Sequence, residues 1–391
     1  MGRDGSCRSD FCTSCSCIRD YRQKTLDRRD NERLKWIFPV KKERRREAVK
    51  RAVLVAPRKF KMEEVEKPIP KGDQVLIQVK CCGICGSDIH SYEGKHPFVK
   101  PPIVLGHEFA GVIADIGNEV EGFEIGDKVT VEPNLPCGNC YNCRHGKPNI
   151  CNKLKVIGNI GYNGAFAEYI SVPAEKVIKL PEGLSFEQGA FVEPTAVGVH
   201  AIRKAGQRVG DKILILGAGP IGLLLLQAAK CAGAARVVIT DLFERKLEIA
   251  RKLGADLIFS PNRGDLAEFI KTWIEEEAID LIYDCVANER TLNQAIKVAR
   301  RGTKIIIVGV PTEKICVDLS LVQDGEISLE GSLMYTHDDF LTALELIREG
   351  KIEISPLITH RFRFEEIEDA FNLAVASENA GKRLKIMIRF Q

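Results

Sequence analysis

Between residues 49 and about 197, apolar residues fall in short runs broken by Gly and Pro, at 52–55, 74–81, 111–116, 128–131, 166–172 and 176–180. Such runs predict strands. Turn signals such as Lys71-Gly72-Asp73 and Ile125-Gly126-Asp127 separate them, so the pattern predicts a compact, partly open β-barrel or sandwich. The period then changes to strand–helix alternation. Residues 212–216 (Lys-Ile-Leu-Ile-Leu) read as a buried strand, 223–232 as a helix and 236–240 as the next strand. Further strands are predicted at 257–259, 281–284, 304–308 and 328–333, with helices over 244–253, 265–276 and 291–300. Six strands with crossover helices predict a doubly wound parallel sheet. Amphipathic helices over 338–349 and 365–376 and a strand over 383–389 complete the chain. With six sheet strands already placed, this segment is expected to cross back to the first region.

The 391 residues exceed one ordinary core. The expected division is an extension over 1–48, a first domain over 49–197 and 336–391, and a second over 198–335. Residues 1–48 hold 14 Lys/Arg against 8 Asp/Glu, leaving 43 against 46 in the rest. The slightly acidic body gives no electrostatic footprint for nucleic acid or an anionic membrane. No apolar run suggests a membrane span, and no secretory h-region follows the basic N-terminus. The 14 cysteines without a secretion signal favour metal binding or free thiols over a disulfide framework. The arginine-rich, aperiodic extension, with Cys7, Cys12, Cys15 and Cys17, reads as disordered rather than as a small metal site or basic arm. Arg44-Arg45-Arg46 can be encoded by AGG triplets resembling a ribosome-binding site, and Val49 by a GTG start codon. On that reading, residues 1–48 are absent from the natural protein.

Candidate chemistry concentrates in residues 82–108, Cys82-Gly83-Ile84-Cys85-Gly86-Ser87-Asp88-Ile89-His90 through Gly106-His107-Glu108. Thiolate, imidazole and carboxylate are zinc ligands, and a set of three leaves a position open for substrate. Alone, this stretch is equally a Cys-rich turn followed by a core histidine. Cys137, Cys140, Cys143 and Cys151, at C-x2-C-x2-C-x7-C, can close a four-thiolate shell of the structural kind, with a redox pair or an iron–sulfur cluster as alternatives. Glu193, in Val192-Glu193-Pro194, is a carboxylate among apolar residues, costly to bury unless paired or metal-bound. It also reads as a helix N-terminal carboxylate, with Pro194 at the first helical position. Gly217-Ala218-Gly219-Pro220-Ile221-Gly222 follows a strand and opens a helix, and Asp241 lies 19 positions past its last glycine. That context lets a pyrophosphate approach the turn and helix N-terminus. Asp241 can accept from ribose hydroxyls and repel a 2′-phosphate, which favours NAD. Arg245 and Lys246 follow closely, keeping NADP as the less favoured partner.

Together these motifs resemble the zinc-dependent medium-chain dehydrogenase/reductase superfamily over residues 49–391, and Val192-Glu193-Pro194 resembles its sorbitol (polyol) dehydrogenase branch. Classical alcohol dehydrogenases carry cysteine where Glu193 stands. The resemblance implies a GroES-like β-rich catalytic domain joined to a Rossmann doubly wound cofactor domain. It implies a catalytic zinc on Cys85 and His107, with the remaining places shared among Glu108, Glu193 and water or substrate. It implies a structural zinc on Cys137, Cys140, Cys143 and Cys151. Ser87 matches the hydroxyl that bonds the substrate alcohol, and His90 the outer member of a proton relay; His90 also reads as a plain surface histidine. Dinucleotide contacts are implied for Gly217, Gly219, Pro220, Ile221, Gly222, Asp241 and Arg245. The implied activity is reversible oxidation of a secondary alcohol of a polyol, cyclitol or sugar acid to a ketone with NAD, in a cytoplasmic homo-oligomer, tetramer or dimer, with no nucleic-acid or membrane partner. Threonine 3-dehydrogenase and 2,3-butanediol dehydrogenase share the Glu-Pro element and stand as alternatives. A non-catalytic NAD-binding redox sensor and a zinc-free quinone reductase are opposed by the retained Cys85, Ser87, His107, Glu108 and Glu193.

Overall fold

The computed structural model describes residues 47–274 and 279–391. The expectations for residues 1–46, and the last two residues of the helix expected over 265–276, lie outside the described residues.

The strands Ala48–Ala56 and Lys59–Glu66 form an antiparallel hairpin. The second strand is not expected from the sequence, because its charged run Lys-Phe-Lys-Met-Glu-Glu-Val-Glu carries only a thin alternation. A seven-stranded sheet follows. Its path runs Val177–Lys179, Lys128–Val131, Glu108–Ile116, Gln74–Gly83, Lys385–Arg389 and Ile358–Arg363, and Tyr169–Pro173 also pairs with Gln74–Gly83. The C-terminal strand thus joins the sheet of the N-terminal half, with Ile388 opposite Cys82 and Met387 opposite Gly83. Burial of Ile386, Met387 and Ile388 drives that return. A small sheet of Asn134–Leu135, Lys155–Ile157 and Gly161–Tyr162 backs the cysteine lobe.

The six-stranded sheet is parallel throughout, in the order Leu257–Phe259, Arg236–Thr240, Lys212–Leu216, Leu281–Asp284, Lys304–Ile307, Ser328–Gly331. This is the doubly wound order. Apolar clusters cover both faces: Ile213, Ile215, Leu224 and Tyr283 contribute to one, Leu214, Leu216, Ile282 and Leu292 to the other.

One sequence expectation is overturned. Pro194 does not open a helix; it lies inside the 20-residue helix Phe186–Ala205. The true start is set by a reciprocal cap, in which Ser185 Oγ accepts from Gln188 N and Gln188 Oε1 accepts from Ser185 N. Burial of Phe191, Val192, Ala196 and Val199 outweighs the backbone hydrogen bond that Pro194 cannot make. Glu193 therefore sits mid-helix, where the dipole argument does not apply. No helix among the described residues is long and apolar enough to cross a membrane.

Candidate functional site

The strand Gln74–Gly83 ends against the start of Glu108–Ile116, with Gly83 opposite Glu108. A Cβ on Gly83 would lie 2.2 Å from Glu108 Oε2, so any larger residue there must displace the carboxylate. The chain then turns at Cys85 into the short helix Gly86–Tyr92. Asp88, fully buried in its first turn, accepts from Cys85 N at 2.9 Å and from Gly106 N at 3.4 Å. Its Oδ1 also lies 3.5 Å from His107 Nδ1. One carboxylate thus ties the Cys85 turn to the Gly106 backbone and places negative charge beside the His107 imidazole. Burial opposes charge on His107, but Asp88 and Cys85 outweigh it and hold the imidazole well above its ordinary pKa.

Cys85, His107 and Glu108 present ligand atoms all within 4.8 Å of one another. A thiolate, an imidazole and a carboxylate around one point are a donor set that suits zinc. Glu108 is buried, and Lys385 Nζ donates to both its oxygens at 2.7 Å. That lysine, itself buried on the C-terminal strand, also donates to Ile84 O. Glu193 stands outside the three-residue group but within electrostatic reach of His107, Glu108 and Lys385. Burial, reinforced by Glu108, pushes Glu193 up to about 7. Tyr335 Oη donates to Glu193 Oε1 at 2.8 Å, from a fully buried ring. Ser87 Oγ accepts from Asn159 Nδ2 at 3.3 Å. His90, in the last turn of the same helix, is half-buried, which lowers its pKa.

The four cysteines of the lobe also converge. Sγ separations are 3.4 Å for Cys137–Cys151, 3.5 Å for Cys140–Cys143 and 3.8 Å for Cys140–Cys151. A tetrahedral zinc with bonds of about 2.3 Å has an S–S edge of about 3.8 Å, so the cluster fits one ion. The backbone N–H groups of Cys137 and Lys153 point at Cys151 Sγ. Those of Cys143 and Asn152 draw the Cys140 thiol down to about 6.

In the six-stranded half, the glycine turn lies between Lys212–Leu216 and the helix Pro220–Cys231. Gly219 caps that helix with Pro220 in its first turn and Ile221 beside it. A Cβ on Gly222 would fall 1.9 Å from Gly217 O, which explains the third glycine by packing. The first helical turn leaves N–H groups without intrahelical partners, donors that a pyrophosphate could use. Asp241 follows Arg236–Thr240 and accepts from Ala218 N at 2.9 Å and Phe243 N at 3.0 Å. Its carboxylate therefore braces the glycine turn as well as offering lone pairs outward. Arg245 is exposed on the helix Glu244–Lys252.

Sequence reasoning passes over Asp88, Lys385, Tyr335 and Asn159. Asp88 has a local signal, an acidic residue three positions past the turn residue Cys85, and Lys385 a weaker one, a lysine heading an apolar run.

Two family models match: the alcohol dehydrogenase GroES-like domain over residues 71–182 and the zinc-binding dehydrogenase over residues 220–349. The chain is 36% identical over 344 residues to sorbitol dehydrogenase of Bacillus subtilis (strain 168), covering 87% of this chain and 97% of that protein. It is 37% identical over 324 residues to L-idonate 5-dehydrogenase of Vitis vinifera, covering 80% and 87% respectively. Among solved structures, ECK1772 of Escherichia coli, an oxidoreductase/dehydrogenase of unknown specificity, superposes with a TM-score of 0.84 at 34% identity, covering 88% of this chain and 100% of that one. The lobe of four cysteines, the Cys-His-Glu group and the glycine turn thus stand in a chain that belongs to the zinc-dependent medium-chain dehydrogenase/reductase superfamily, in its sorbitol dehydrogenase-like branch.

Proposed function

We propose that this zinc- and nicotinamide-dependent enzyme reversibly oxidises a secondary alcohol of a polyol, cyclitol or sugar acid to a ketone with NAD. The observation that carries the reading is the gathering of Cys85, His107 and Glu108 around one point, with Glu193 beside them on the helix Phe186–Ala205. When bound, zinc supplies Lewis-acid polarisation of the substrate hydroxyl and the nicotinamide accepts the hydride. Cys85 and His107 would hold the metal, with the remaining places shared among Glu108, Glu193 and water or substrate. Lys385 neutralises Glu108, so a second carboxylate is tolerated nearby. Ser87 accepts the hydroxyl proton as it releases its own outward, while its Oγ also accepts from Asn159 Nδ2. His90, whose pKa burial lowers, receives the proton on its way to solvent.

NAD is favoured over NADP by the charge of Asp241, and a homo-oligomer by Ser328–Gly331 being last in the order of its sheet among the described residues, with Leu319, Leu321 and Leu333 of the flanking segments exposed. A cytoplasmic setting suits thiolate ligands that must stay reduced.

A panel of polyols, inositols, sugar acids, diols and L-threonine, assayed with NAD and NADP by absorbance of the reduced cofactor, tests the reading. Turnover of polyols or sugar acids with NAD is expected. Activity confined to L-threonine or 2,3-butanediol overturns the substrate class. Cys85→Ser is expected to abolish turnover while NAD still binds, and near-normal turnover after zinc removal refutes the zinc chemistry.

A further inference from the structure

The cysteine lobe and the carboxylate on the far helix are joined by a chain of buried amides. Asn149 lies in the single 3-10 turn Pro148–Ile150, directly before Cys151. It is only 6% exposed. Its Nδ2 donates to Leu333 O at 2.9 Å and lies 3.3 Å from His200 Nε2. Asn134, 2% exposed on the small sheet behind the lobe, donates from Nδ2 to Tyr335 O at 3.1 Å. The turn 333–335 therefore hangs from two asparagines of the lobe region. It needs such support: Met334 holds φ of 52°, a left-handed conformation unusual for its side chain. The same turn delivers the Tyr335 hydroxyl to Glu193.

We propose that Asn149 is a positioning residue for catalysis, transmitting the fold of the four-cysteine lobe through the turn 333–335 to the Tyr335–Glu193 pair. The lobe is then part of the pocket's alignment and not only a staple for its own loop. Leu333 O and Tyr335 O flank the strained residue, so holding both fixes the direction of the ring between them. Loss of one tether lets the turn relax, and the hydroxyl drifts from Glu193.

This inference rests on Glu193 acting at the reacting centre, and a double-mutant cycle on the zinc-loaded enzyme separates the two ideas. Asn149→Ala is expected to lower kcat about tenfold, the scale of one lost buried hydrogen bond, with NADH affinity and zinc content unchanged. Hydrogen exchange at residues 333–336 is expected to accelerate selectively. In a Tyr335→Phe background, Asn149→Ala is expected to cost less than about twofold, because its route to Glu193 is already cut. An equal loss in both backgrounds, or unchanged exchange at 333–336, overturns the proposal. Should Asn149→Ala lose the lobe's zinc, Asn134→Ala is run through the same cycle, and the same two outcomes support or overturn the proposal. A wild type inactive towards the whole panel sinks the functional reading alone, and the exchange comparison still decides the tie between Asn149 and the turn.

Discussion

Gly83 is pinned between two neighbours, Glu108 on one side and Met387 on the other. Any side chain there must displace the Glu108 carboxylate, which a Cβ would approach to 2.2 Å. Gly83→Ala is therefore expected to pull Glu108 off Lys385 and spoil the ligand group. Displacements of about 1 Å at a reacting centre cost on the order of 100-fold in turnover. NADH binding, followed by fluorescence, should persist, since the glycine turn is built on the six-stranded sheet and not on the sheet that holds Gly83; a kcat near wild type would show that the close approach relaxes without consequence. The motif residues at this scale are legible in the sequence because each motif is local: Cys85, Ser87 and His90 share one turn and helix, and the four cysteines one lobe. Their partners are not. Lys385 stands 277 positions from Glu108, and Tyr335 142 positions from Glu193. A lysine heading the apolar run Lys-Ile-Met-Ile hints at a buried cation, but nothing in the run says which carboxylate meets it.

The helix Phe186–Ala205 shows the same limit at the scale of an element. Strands of the six-stranded sheet are plain in the sequence, because a strand buried on both faces is a short unbroken apolar run whose ends are polar. The start of this helix is not, because Pro194 imitates an N-terminal signal. The real signal is Ser185 with Gln188 three positions on, a capping box that precedes the apolar periodicity. Ser185→Ala is expected to cost about 1 kcal/mol of stability, the usual worth of an N-cap, measured by urea denaturation. The kcat should stay at wild type, because Glu193 lies two turns inside the helix, where Phe191, Val192 and Ala196 are buried. A large loss of turnover without a loss of stability would mean that the cap, and not the packing, fixes Glu193.

Across the whole molecule, this helix is held at both ends by the returning C-terminal segment. At its start, Glu187 pairs with Arg361 and Arg389, both on strands of the seven-stranded sheet. Near its end, Asp339 of the helix His337–Arg348 accepts from His200 Nδ1 at 2.8 Å and Arg203 Nη1 at 2.6 Å, and from Thr336 N and Oγ1. Burial alone would raise the Asp339 pKa, but His200 and the Thr336 hydrogen bonds outweigh it and hold the group at about 2, against 3.8 unperturbed. A carboxylate depressed in the folded state contributes stability above its unfolded pKa and loses it as pH falls through the folded one. The contribution is about 2 kcal/mol at pH 7. Asp339→Asn should therefore be less stable than wild type by about that amount at neutral pH, read from urea midpoints. The gap should narrow as the pH drops from about 4 towards about 2. Both proteins are measured after zinc removal, so their difference isolates the carboxylate. A gap that stays constant with pH would mean that Asp339 acts through shape and hydrogen-bond geometry alone, and that its charge does not lock the return segment onto the helix that carries Glu193.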